Sequence, residues 1–592
     1  MASAEFYQQR ITNFQEKVLL SDQIIRKYAW GRVLAAIAII SVGYLGFSNS
    51  LFFFALLPLF ILFFYLVRIQ LKKENERKIL KLLVNLNGYE AASHNHDFSN
   101  FSTGEEFIDP HHAYTHDLDI FGKGSVFQYI NRCATHLGEI NLANGLTHLR
   151  FSKASILERQ EAIRELAKEI EFRQQCWAVG KQIHDEKYQL KPLHTWLKEP
   201  DLFLGKSFFT IIKWLLPVLT CGSLLAVSFT PIFQSVFFFL FIVQLTVCAI
   251  YSKPIGLLQG KLASYKVILD NYSQLFRLLK AEKFSTPLMQ THHRFAQAAA
   301  DHVLEFSRLV NSLESRMNLI ARLVGNGLFL YDFHTVSNLE VWRKKFSNDL
   351  PKWLESLAEW DALLSFSTLH YNHPTYAFAD VDEHFSIRGS ETGHLLIPSS
   401  VRVTNSFDLG NPASLMLITG ANMAGKSTFL RAIGVNYILA LNGSPVCAIK
   451  WTTPLAALRT GMRTSDSLQE NQSYFFAELN RLQSIIQELR SGQPMVILLD
   501  EILKGTNSTD KQIGSRELIK QLIQQKALII IATHDIALGD MEQQFPNQIS
   551  NACFEGKIEN DQLTFDYKLN KGLAQKANAT FLMRKMGIIP SF

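Results

Sequence analysis

The stretch "SLMLITGANMAGKSTFLRAIGVNYILALNG", residues 414–443, changes character within its length. Ser414 to Gly420 is a short apolar run ending in glycine, the pattern of a buried strand. From Thr428 the chain reads as a helix, closed by Gly443. Between them lies Gly420-x-x-x-x-Gly425-Lys426-Ser427. Glycines there let backbone N–H groups turn inward around a phosphate, and the helix N-terminus adds its positive dipole. On this reading Gly420, Ala421, Asn422, Met423, Ala424, Gly425, Lys426, Ser427 and Thr428 cradle a nucleotide. Lys426 reaches the β- and γ-phosphates, and the Ser427 hydroxyl binds Mg²⁺. ATP and Mg²⁺ are the expected ligands.

Two later strands supply what such a loop needs. "MVILLDE" (495–501) is apolar until it ends in Asp500 and Glu501. An acidic residue at a strand end completes the Mg²⁺ shell, here Asp500, and a second orients the attacking water, here Glu501. "ALIIIATHD" (527–535) carries His534 to the position where a polar group senses the γ-phosphate. Phosphoryl transfer to water requires positioning and charge neutralisation. Glu501, His534 and Lys426 are the expected catalytic groups.

The rest of the chain has a different composition. Over 592 residues, 47% are hydrophobic and only 19% charged, and the apolar residues are clustered. No charged side chain occurs between Arg32 and Arg68, or between Lys213 and Lys253. A membrane-crossing helix needs about 20 apolar residues. Each run therefore holds a hairpin of two short spans, divided at Ser48–Ser50 in the first and near Thr230-Pro231 in the second. Basic residues flank both hairpins: Arg26, Lys27, Arg32 and Arg68, Lys72, Lys73 around the first, Lys206, Lys213 and Lys253, Lys261 around the second. The positive-inside rule then places residues 74–205 and 254–592 in the cytoplasm of a multi-pass protein of the inner membrane, with lipid as a partner. The charged N-terminus does not read as a cleavable signal peptide. Six scattered cysteines without a C-x-x-C pair argue against a zinc site or disulfide framework. The net charge of +6 permits nucleic acid or anionic lipid and argues for neither.

Beyond these general patterns, the chain resembles the MutS family of ATPases. "TGANMAGKSTFLR", with Asn422-Met423, is similar to that family's phosphate-loop block. "LLDEILKGTNSTD", "ATHD" and "GLAQKANATFLMRKMGIIP" resemble its acidic strand, its switch histidine and the helix that ends its ATPase domain. "SDSLQENQSYFFAELNRL" occupies the place of its signature segment, in which Ser473 corresponds to the serine reaching the nucleotide of an opposing subunit. Segments 117–146, 156–180, 359–376 and 393–409 resemble its helical core, or lever, and the lead-in to the ATPase. The resemblance implies a homodimer with composite sites, and it makes DNA a candidate partner.

Departures from the family pattern are also visible. Leu503 and Lys504 replace Gly and Arg in the acidic block, and Gln469-Glu470-Asn471 replace small residues in the signature. The family's mismatch-reading Phe-x-Glu belongs to an N-terminal domain for which the first hairpin leaves no room. "FQE" at Phe14–Glu16 is a chance match. The middle of the core, around 254–330, reads as ordinary amphipathic helix ("THHRFAQAAADHVLEFSRLVNSLESRMNLIARL") without a basic stripe. "DPHHAYTHDLD" (109–119) fits a loop-to-helix junction better than a metal site, because its spacing matches no standard ligand pattern.

The expected fold is an α/β phosphate-loop ATPase domain on an all-α core with four transmembrane helices. The expected divisions are an N-terminal helix (1–32), hairpin 1 (33–71), first core part (72–205), hairpin 2 (206–252), second core part (253–385) and ATPase domain (386–592). The expected function is a membrane-anchored ATP hydrolase coupling nucleotide state to lever movement, with DNA contact related to mismatch repair or recombination left open. The alternatives are a nucleotide-switched membrane scaffold without a DNA role and, more remotely, a transporter-like ATPase.

Overall fold

The computed structural model describes residues 4–183, 185, 191–382, 384–410, 412–463, 474–503, 507–559 and 562–574. Ser473, the Gln469–Asn471 substitutions, Lys504 and nearly all of the segment 572–590 lie outside them.

Two long helices, Ala4–Gly46 and Phe53–His94, run antiparallel along each other with a tight turn at Phe47–Asn49. Neither the 32/33 nor the 71/72 division coincides with a break, because charged and apolar stretches share one helical period. Both ends are anchored on the helical core. The Tyr7 hydroxyl donates to Asn372 Oδ1 at 2.7 Å, and Arg10 Nε donates to Gln174 Oε1 at 3.1 Å. Buried Glu90 pairs with Arg132 at 2.5 Å. The middles of the two helices, by contrast, leave large apolar side chains such as Ile40, Tyr44 and Phe54 exposed.

The core is organised around Leu350–Asn372, a helix buried along most of its length beneath Lys153–Lys168, His136–Thr147 and Pro287–Glu314. Out of this core rises the second hairpin, Ser207–Ala226 and Ile232–Ile250. Its arms are joined by buried Gln244, whose Nε2 donates to Thr220 Oγ1 at 2.5 Å. Among the described residues four helices, two per hairpin, are long and apolar enough to cross a membrane. The stretch read as one amphipathic helix through residue 323 is broken at Ser315–Met317. Asn318 then caps a separate apolar helix, Leu319–Phe329, by accepting from the N–H groups of Ile320 and Ala321.

The C-terminal part carries a six-stranded sheet in the order Gln562–Lys571, Ile549–Glu559, Leu415–Gly420, Ala527–Thr533, Met495–Asp500, Ala457–Gly461. All neighbours are parallel except the terminal hairpin 549–571. The central strands are buried along their length and apolar up to their last one or two residues, because both faces are covered. Their register aligns Ile418 with Ala532 and Ala532 with Asp500. Three strands therefore end level at one edge of the sheet, where open α/β sheets bind ligands.

Core and sheet are tied together by the "DPHHAYTHDLD" segment. Asp117 is fully buried and accepts from Thr460 Oγ1 (2.6 Å), Arg463 N (3.0 Å) and Arg481 Nη2 (2.7 Å). Asp119 pairs with Arg431 at 3.0 Å and Arg463 at 2.7 Å. The segment is thus a junction, and Asp117 and Asp119 are already held by arginines.

Candidate nucleotide site

Gly420 ends its strand with φ +153°, and Gly425 opens the helix Lys426–Leu441 with φ +104°. At Gly420 an added Cβ would meet the Phe554 carbonyl oxygen at 2.5 Å, so the loop can pass there only as glycine. Between the two glycines Met423 also adopts a positive φ and stands 85% exposed.

The loop forms the floor of a cavity of about 590 Å³. Ala421, Asn422, Met423, Gly425, Lys426, Ser427 and Thr428 line it, together with Asp500 and Glu501. Of the residues singled out in the sequence, Gly420, Ala424 and His534 do not line it directly. Ala424 is buried behind the loop. His534 stands at the rim with its Nδ1 3.8 Å from Glu501 Oε1.

The side chains at the strand ends are arranged around the loop. Lys426 is nearly buried, and its ammonium donates to the carbonyls of Gly420 (2.7 Å) and Ala421 (2.9 Å). The Ser427 hydroxyl donates to Asp500 Oδ2. A hydroxyl and a carboxylate oxygen side by side form a hard donor set that suits Mg²⁺. Glu501 has φ +53°, and its N–H donates to Ala532 O at 2.8 Å, fixing the turn that follows the strand.

The opposite wall was not foreseen from the motifs. Thr392, Gly393, His394, Ile397, Val401 and Val403 come from the lead-in segment, and Tyr567 and Phe554 from the terminal hairpin. Asn405 links these two sources, donating to Tyr567 O at 3.0 Å and accepting from Leu569 N at 2.8 Å. Burial, with Arg431 and Arg402 nearby, pulls His394 down to about 4, so its ring is neutral at pH 7. The Leu396 N–H donates to His394 Nδ1 at 3.2 Å, which assigns the ring proton to Nε2. These residues carry no motif spacing; for those of the lead-in segment the one signal was their place before the strand Leu415–Gly420.

Comparison with known proteins agrees with this geometry. Residues 416–590 match the family model of MutS domain V. The DNA mismatch repair protein MutS of Thermotoga sp. (strain RQ2) is 28% identical over 331 residues, covering 55% of this chain and 38% of that protein. The MutS of Protochlamydia amoebophila is 26% identical over 328 residues, covering 54% of this chain and 35% of its own. MutS protein homolog 4 of Mus musculus is 30% identical over 197 residues, 32% of this chain and 20% of that one. The chain carries a MutS domain V. It spans well under half the length of these MutS relatives. MutS proteins are ATPases, and domain V, their ATPase domain, supplies the loop and the acidic strand end of the cavity, while the wall at 392–405 precedes the matched residues.

Proposed function

We propose that this protein is a membrane-anchored MutS-type ATP hydrolase that passes nucleotide state from the cavity to its helical core. One observation carries the hydrolase reading: three level strand ends gather Lys426 and Ser427, Asp500 and Glu501, and His534 around a nucleotide-sized cavity. Lys426 exchanges its two loop carbonyls for β- and γ-phosphate oxygens. Ser427 and Asp500 would hold Mg²⁺, which would supply neutralisation of phosphate charge. Glu501 orients the water that attacks the γ-phosphorus, the bond to the β–γ bridging oxygen breaks, and ADP and phosphate leave. His534, beside Glu501, senses whether the γ-phosphate is present. The lead-in wall and Tyr567 receive the base, with His394 Nε2–H as a neutral donor.

Coupling runs through the helix that begins at Lys426. Arg431, one turn beyond Ser427, pairs with Asp119 of the core, so a shift of the loop is felt there directly. The hairpins, each with two helices of spanning length and apolar exposed surface, hold the engine at the inner face of a cytoplasmic membrane. A homodimer with Ser473 completing the partner's site, and DNA as the object of movement, follow from the family relation. A scaffold without a DNA role is favoured by the apolar exposed surface of Met317–Phe329, in which Arg322 is the single charged side chain.

The test is ATP hydrolysis by the detergent-solubilised full chain with and without duplex DNA. Wild-type turnover abolished in Lys426→Ala supports the hydrolase; equal turnover in both sinks it. If no nucleic acid alters turnover or nucleotide affinity, the DNA version falls and the scaffold stands.

A further inference from the structure

The helix Leu319–Phe329 bears an exposed apolar face for which a soluble core offers no use. Leu319, Ile320, Leu323 and Val324, at i, i+1, i+4 and i+5, are between 45% and 74% exposed, and Phe329 at its end is 51% exposed. The opposite side packs on the second hairpin. Gly327 lies so close to Phe241 that a Cβ there would collide with the ring. Phe241 is roughly 14 Å along its helix from Ile250, at 1.5 Å per residue. At the other end Arg322 and Arg316 both donate to Ser252 Oγ at 2.9 Å, just beyond that helix. Arg316 also forms a buried pair with Asp332 at 2.7 Å. Leu330, with φ +48°, then reverses the chain, and His334 meets the Lys213 carbonyl at 2.8 Å.

The segment thus enters beside the hairpin at the level of Ser252, reaches Phe241, and returns at the level of Lys213. Its helix is only about 16 Å long at 1.5 Å per residue, too short to span a bilayer. Its one charged side chain, Arg322, is turned back to the level where the hairpin's basic flanks begin. Phe238, Phe239 and Ile242 of the hairpin, beside Phe241 in the chain, are exposed and apolar as well.

We infer that Leu319–Phe329 is a re-entrant membrane segment that dips into the cytoplasmic leaflet against the second hairpin, its apolar face covered by lipid acyl chains. The inference rests on the reading that the hairpins cross a membrane. It adds a fifth lipid contact, in the middle of the core, which fastens the helix Pro287–Glu314 to the bilayer surface at its C-terminal end.

The test uses full-length protein carrying Cys221→Ser, since the other native cysteines are buried. Single cysteines replace Leu323, Ile320, Phe239 on the hairpin, or exposed Arg277 on the core. Each is labelled with bimane and reconstituted in phosphatidylcholine–phosphatidylglycerol vesicles with or without spin-labelled phosphatidylcholine. Quenching at Leu323 within about twofold of that at Phe239, with Arg277 unaffected, is the expected result. Quenching at Phe239 but not at Leu323 or Ile320 overturns the inference and leaves the hairpin reading intact. No quenching at Phe239 overturns the hairpin reading itself. Disulfide-linked dimers through Leu323→Cys without quenching would assign the face to a second copy of the chain and likewise overturn the inference.

Discussion

The sheet edge and the helical core each gather carboxylates and cations, and the two clusters are built in opposite ways. At the sheet edge, Lys426, Ser427, Asp500 and Glu501 come from short contiguous motifs and face an open cavity. In the helical core, Asp361, Glu139, Asp185, His136 and Lys181 come from distant segments and are mostly buried. Asp361 accepts from the N–H groups of Ala134 (2.8 Å) and Thr135 (2.9 Å) and from Thr135 Oγ1 (2.7 Å). Burial outweighs these bonds and pushes its carboxyl up to about 7. For Glu139 burial also acts upward, but His136 and Lys181 together outweigh it and pull the carboxyl to about 2. The difference separates tasks. Polar groups that must exchange partners with a ligand are left at strand ends, whereas those that fix the packing of helices are sealed with their partners.

The comparison implies a ranking of effects. Lys426→Ala should lower ATP turnover by roughly 100-fold to 1,000-fold, the cost of one preorganised cation at a transition state, while chemical denaturation moves little. Asp361→Ala should do the reverse. It leaves three buried donors unpaired, which costs about 2–3 kcal/mol in denaturant unfolding, with nucleotide affinity of the folded fraction retained. Gly138→Ala should act in the same direction, since a methyl group there collides with the Asp361 carboxylate. Loss of turnover without loss of stability in Asp361→Ala would erase the distinction between the two sites.

The pH dependence of stability follows from the same groups. Asp361 holds its proton more tightly folded than unfolded, where a carboxyl titrates near 4, so it favours the folded state as pH falls from about 7 to about 4. Burial holds His292, His373 and His394 down at about 4 against roughly 6.5 unfolded. Each therefore contributes stability above pH 6.5 that is lost on acidification to pH 4. Three histidines outweigh one aspartate, so unfolding temperature should drop over that interval. The drop should be steeper in Asp361→Asn, which lacks the opposing proton uptake. An unchanged slope would show that Asp361 is ionised in the folded core. Smallest of all, His394→Ala or Tyr567→Ala should weaken nucleotide binding by about tenfold or less, measured by calorimetry, because each removes one wall contact and no phosphate contact.

How much could be read beforehand follows the same division. The phosphate loop, Asp500, Glu501 and His534 were legible because phosphate chemistry demands fixed residue types at fixed offsets from strand ends. The lead-in wall was not, since Thr392, Ile397 and Val401 need only be apolar or small and near the base. The junction role of Asp117 and Asp119 was half legible: the segment was marked as a junction, but its arginine partners lie more than 300 residues away in the chain. The break at Ser315–Met317 was missed because amphipathic spacing continues across it, and only the cap at Asn318 and the reversal at Leu330 expose it.

Local chemistry thus settled the glycine-bounded loop, the strand and helix that carry it and the two uncharged hairpin runs, because each is encoded within about thirty consecutive residues. Tertiary structure alone decided the cavity wall facing the loop, the Asp117–Asp119 clamp, the sealed Asp361 centre and the apolar helix beside the second hairpin. Each of these is a meeting of segments distant in the chain, and burial and partner geometry, rather than residue type, give it its properties.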